Sequence, residues 1–237
     1  MHYDLSPPLL SHFTHYGFIE IEEAITDAEL AHLYKAIQLV DSSSFEKKFL
    51  VGRDLFRKNA EAKKVLFSRK LCTIASKLSN QRVLQAGYDQ LFFGTQDPKV
   101  LKLIPEKASI NDLSSMSQIA CAMLVSIDVH EPPKEPEEPT DKSAKTREEI
   151  LEEEAKKIPI LSFPKEPKNA LFLSPRRLLP LKRWVSEMEG SFMLVVWVYP
   201  GARYKESKLD PHSYALKHED YAYGDVLLPR THPYVKK

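Results

Sequence analysis

Asp210, His212, His218, Glu219, Asp220, Asp225 and His232 place three histidines and four acids within 23 residues near the C-terminus. Nitrogen and oxygen donors of these types could hold a divalent cation. Their spacing matches no established ligand pattern, and the same residues read more simply as solvated turn groups. Asp128 and His130 form a D-x-H pair, which also reads as polar residues at a strand end. His12 and His15 precede the first expected strand and read as surface groups. Cys72 and Cys121 lie in the apolar contexts KLCTIA and IACAML, so two buried reduced thiols are expected and not a redox pair. The absence of a C-x-x-C pattern excludes a zinc finger. There is no G-x-S-x-G nucleophile elbow, and the seven glycines form no phosphate-cradling loop.

The elements that must position any site follow from periodicity. Phe18, Ile19 and Ile21 make a short strand after Gly17. Thr26-Asp27-Ala28-Glu29 is a capping box, and Leu30, Leu33, Tyr34, Ile37 and Val40 continue at helical spacing. Residues 54–79 predict two helices broken near Phe67–Lys70. Within them, 69–85 has a faint helix-turn-helix look, but no glycine marks the turn, and a helix leading into a strand is the better reading. Strands are expected at 82–94, 117–129, 169–175 and 192–200. The second of these is apolar on both faces and should be buried. Between strands, residues 131–168 hold seven prolines, eleven acids and eight bases. They read as a Pro- and charge-rich insertion with a short solvated helix after Thr146. No period of 20–50 residues recurs. Helices first and strands after give an α+β order in one domain spanning 1–237.

Composition bounds the partners. Lys+Arg is 34 and Asp+Glu is 33, a net charge of +1. A strong nucleic-acid binder carries a basic excess, so nucleic acid is disfavoured as a partner. The longest apolar run, Phe192 to Tyr199, is 8 residues, well short of the roughly 18 of a membrane span. No signal peptide is expected from MHYDLSPPLL. The expected setting is the cytoplasm, with no membrane partner.

The segment HYGFIEIEEAITDAELAHLYKAI resembles the opening of the phytanoyl-CoA dioxygenase-like proteins, members of the Fe(II)/2-oxoglutarate oxygenases. NALFLSPRRLLP is similar to that family's Gly-Asp-x-x-x-Phe segment, and FMLVVWVYP follows in the family's order. The resemblance implies a double-stranded β-helix, or jelly-roll, core backed by N-terminal helices. It also implies Fe(II) held by two histidines and a carboxylate, with 2-oxoglutarate on an arginine. On this alignment Asp89 takes the carboxylate position, a relic metal ligand. Gly87 stands where a histidine belongs. The distal histidine falls near Leu178 to Pro180, but no histidine lies between His130 and His212. No arginine occupies 188–192, the expected anchor position, although Arg176, Arg177 and Arg183 are near. Tyr88, Arg176 and Arg177 are the candidate ligand-binding residues.

The favoured reading is a non-catalytic binding protein on an oxygenase-like fold, with an incomplete metal triad, no cofactor, and a small molecule or protein as partner. The first alternative is an active oxygenase using Fe(II) and 2-oxoglutarate. The second is a divalent-metal-responsive transcriptional regulator. Three convergent ligands inside the barrel would favour the enzyme, and apolar side chains there the binding protein.

Overall fold

The computed structural model describes residues 5–38, 50–127 and 161–236. Its strands are β1 (Phe18–Ile21), β2 (Leu50–Arg53), β3 (Val83–Phe93), β4 (Ile119–Ser126), β5 (Ala170–Leu173), β6 (Ser191–Val198) and β7 (Tyr234–Lys236). They form one antiparallel sheet in the order β1-β5-β4-β6-β3-β2, and β7 pairs with the start of β3. Central strands covered on both faces need continuous apolar sequence. That is why IACAMLVS and SFMLVVWV are the most apolar runs, and β4 is buried throughout.

Side chains alternate across the sheet, so two cores form. Cys121, Met123, Val125, Val195 and Trp197 face a helix layer, while Ala122, Leu124, Val196 and Val198 face the other way. The helix layer holds α1 (Pro7–Tyr16), α2 (Asp27–Gln38), α3 (Leu55–Lys58), α4 (Ala60–Leu66) and α5 (Arg69–Leu78). α2 begins as its capping box requires: Glu29 Oε2 accepts from Thr26 N at 2.9 Å, and Glu29 N donates to Thr26 Oγ1 at 3.3 Å. The chain breaks at Phe67–Ser68, where Ser68 Oγ accepts from Leu71 N to open α5. α5 then runs into β3 as a helix leading into a strand. α1 is an addition to the sequence reading and carries His12 and His15. Its signals were present, with proline at its first positions and Gly17 closing it at φ 75°.

The second core is roofed by α6 (Pro98–Leu101), α7 (Leu181–Glu187) and irregular chain tied by single bridges, Ala108 with Leu179, Met116 with Tyr204 and Arg203 with Val226. The far end of the expected insertion belongs to this core. Phe163 is half-buried against it, with ring centroids 5.8 Å from Phe192 and 6.4 Å from Trp184, and Lys168 O accepts from Ile25 N at 3.1 Å. The rest of the insertion up to 160, including the expected helix after Thr146, lies outside the described residues. So does His130, with Asp128.

Candidate functional site

Between the inner face of the sheet and its roof lies a cavity of about 580 Å³. Leu124, Leu173 and Leu194 line it from the sheet, Ile110 and Leu179 from the bridged roof, and Trp184 from α7. Leu103, Leu209 and Tyr214, all exposed, mark where it opens. The volume and the apolar wall are those of a small-molecule site.

One end is polar, and three distant segments build it. β2 carries Arg53 past a bulge at Gly52, where the register with β3 shifts. Arg53 stacks on Tyr88 of β3, its Cζ 3.6 Å from the ring centroid. Its two terminal nitrogens meet the two oxygens of Asp210 at 3.3 Å each. Asp210 also accepts from Ser115 N at 3.0 Å and His212 N at 2.9 Å. Tyr88 Oη accepts from Ser114 Oγ at 2.7 Å. Burial alone would lower the Arg53 pKa, but Asp210, Tyr88 and Asp54 together outweigh it and the guanidinium titrates above its ordinary range. Burial also raises the Tyr88 phenol, against the pull of Arg53. The Arg53 guanidinium is therefore charged, and it faces Asp210 in an ion pair.

Asp89 is one residue from Tyr88, so it points to the opposite face. Its oxygens accept from Leu55 N and Phe56 N at 2.8 Å each, capping α3. Burial raises its pKa to about 7, opposed by these two bonds. The carboxylate assigned to a metal position thus serves the helix layer instead. Beside it, Arg57 Nε lies 3.5 Å from Asp54 Oδ2, and Arg57 Nη2 lies 2.9 Å from His232 Nε2. Burial, then Arg57 and Arg53, push the His232 imidazole down to about 3.

The other expected ligand-binding residues separate. Tyr88 is in the cavity. Arg176 and Arg177 are exposed on the turn after β5, with Arg177 Cζ 5.6 Å from the Phe18 ring centroid. Arg183 pairs with Glu187 at 2.8 Å on the outer side of α7. Gly87, which the resemblance sets where a histidine belongs, has no room for a side chain. It sits where the β3–β6 register shifts, and a Cβ there would lie 2.7 Å from Val196 O. The C-terminal histidines and acids do not converge: Asp210 serves Arg53, His232 serves Arg57, Asp225 accepts from Ala222 N, and His218 is exposed. Cys72 and Cys121 are buried thiols pushed up to about 12 by burial, poor nucleophiles at neutral pH.

Residues 175–179, which lead into the place the resemblance gives the distal histidine, are faced by a segment other than β3. That partner is 108–111, through the Ala108–Leu179 bridge and Asn111 N donating to Pro175 O at 3.0 Å. Ile110 and Leu179 are its inward side chains, 1% and 2% exposed. The nearby carboxylate, Asp112, is exposed and accepts from Ser109 N and Oγ at 2.9 and 2.7 Å. Among the described residues no three His, Cys, Asp or Glu side chains gather as a metal site. Two aliphatic groups and a turn carboxylate do not fit Fe(II), which needs nitrogen and oxygen donors.

No local sequence signal marks Arg53 or the role of Asp210. In the sequence Asp210 is one of four acids among seven polar residues, and its pairing with Arg53 is made by the fold.

No family model and no curated protein matches the chain. Solved structures do. The non-heme alpha-ketoglutarate-dependent carbocyclase SnoK from nogalamycin biosynthesis is 12% identical, with 98% of this chain and 97% of that one covered and a TM-score of 0.67. The epimerase SnoN from the same biosynthesis is 11% identical over 97% and 98%, with a TM-score of 0.65. EctD from S. alaskensis, with 2-oxoglutarate and 5-hydroxyectoine, is 13% identical over 87% and 80%, with a TM-score of 0.52. At these identities the likeness is one of fold. The chain has the α+β jelly-roll fold of the 2-oxoglutarate-dependent oxygenases.

Proposed function

We propose that this protein is a non-catalytic binding protein that uses the barrel cavity of an oxygenase-like fold for a small, largely apolar molecule. The observation that carries the reading is the pair Ile110 and Leu179, buried aliphatic side chains on the two facing segments beside which the resemblance places the distal histidine. The fold by itself implies no activity. The apolar walls supply burial as the driving force, and the polar end at Arg53, Tyr88 and Asp210 supplies orientation. A cytoplasmic setting agrees with the two buried thiols and with the lack, among the described residues, of a helix long and apolar enough to cross a membrane.

Calorimetric titration with 1-octanol tests the reading. Wild type should give one saturable site whose binding enthalpy falls with temperature, the mark of apolar burial. Leu194→Trp fills the cavity from a half-buried position and should weaken binding by about tenfold or more, a loss of roughly 1.4 kcal/mol. No saturable binding, or equal binding by the variant, would overturn it.

A further inference from the structure

We infer that the cavity selects a ligand whose polar end is uncharged, such as an alcohol, amide or ketone on an apolar body, and rejects carboxylates, including 2-oxoglutarate. This rests on the reading of the cavity as a binding site. Arg53 is the buried cation of the lining, and its forked face is already taken by Asp210, at 3.3 Å through both arms. Its flat face is stacked on Tyr88. Of the other basic side chains of the lining, Lys208 is exposed at the mouth and His212 is half-buried beside Asp210, where its backbone N donates to that carboxylate.

An incoming carboxylate would have to displace Asp210 from Arg53 or lie beside it unpaired. Displacement is opposed by the anchoring of Asp210, which accepts from two backbone N–H groups besides Arg53. An unpaired anion in an apolar cavity loses its hydration without return. An ammonium faces the mirror problem, because the Asp210 charge is already neutralised. A neutral head suffers neither cost. It can hydrogen-bond at the polar end to the Tyr88 hydroxyl, which lines the cavity and accepts from Ser114 without using its own proton.

The test is a matched eight-carbon series at neutral pH: 1-octanol, octanamide, octanoate and octylamine, with 2-oxoglutarate as a further arm, each titrated calorimetrically into the full chain. Octanol and octanamide should bind about tenfold or more tighter than octanoate and octylamine, with 2-oxoglutarate giving no saturable heat. Octanoate binding as tightly as octanol would overturn the head-group inference and leave the cavity reading standing. Binding by no member would overturn both. In Asp210→Asn the Arg53 charge loses its partner, and octanoate affinity should rise by about tenfold over wild type. Unchanged octanoate affinity in a variant with a native circular-dichroism spectrum would also count against the inference.

Discussion

The guanidinium of Arg53 and the carboxylate of Asp210 meet fork to fork at 3.3 Å in both arms, although 157 residues separate them in the chain. They join the edge strand β2 to the loop that closes the polar end of the cavity. Removing one member of such a buried pair leaves the other charged and unpaired. Arg53→Met should therefore lose about 3 kcal/mol in urea unfolding. Adding Asp210→Asn should cost less than the sum of the two single changes, a coupling of about 1–3 kcal/mol in a double-mutant cycle. Additive losses would mean the two residues act independently.

Gly87 gives a second prediction. Its missing side chain makes room for the backbone of β6, so Gly87→Ala should cost about 1–3 kcal/mol through overpacking against Val196. Gly87→His should not create an iron ligand. A neutral effect of alanine on the urea midpoint would contradict this close approach.

The pH dependence has two opposing parts. Asp89 titrates at about 7 when folded, against an ordinary value near 3.8, so the folded state binds the extra proton between those values. Its share of stability is present at low pH and is lost as pH rises toward 7. His232 is the reverse. Its folded value of about 3 lies below the ordinary 6.5, so its share is present above 6.5 and is lost as pH falls toward 3. In urea midpoints taken across about pH 4.5 to 7.5, the Asp89→Asn variant should rise more steeply with pH than wild type, and His232→Gln should rise less steeply or fall. The same slope in all three proteins would rule out both assignments.

Phe163 tests where the insertion ends. It packs half-buried on Trp184 and Phe192, so Phe163→Ala should cost about 1–2 kcal/mol in urea unfolding, less than a fully buried phenylalanine. A deletion of 131–168 would remove this contact, whereas one ending at 160 would keep it. The longer deletion should lower the thermal midpoint more than the shorter one. Equal midpoints would place Phe163 outside the cooperative core.

The parts of the fold legible in the sequence were those written in local pattern. The apolar runs of β4 and β6, the Thr26–Glu29 capping box and the break before α5 each carry their own signal. The site was less legible because its contacts are long-range. β2 is four residues long and its paired partner, Asp210, lies in a loop. The segment 108–112 has no strand periodicity and joins the barrel by one bridge, so alignment fell on the strongly patterned β3 instead. That choice made Asp89 a relic ligand and Gly87 a lost histidine. Physically, one caps a helix and the other accommodates a neighbouring strand. Tyr88, between them in the sequence, faces the other way and lines the cavity.

The central claim is that aliphatic groups hold the place of an iron site, and elemental analysis addresses it most directly. The protein is dialysed anaerobically against Fe(II) with 2-oxoglutarate, freed of unbound metal, and assayed for iron per chain. Well under one iron per chain is expected, with no 2-oxoglutarate consumed on admitting oxygen. Stoichiometric iron with nitrogen ligation in its X-ray absorption spectrum, accompanied by 2-oxoglutarate turnover, would contradict the account and establish an oxygenase.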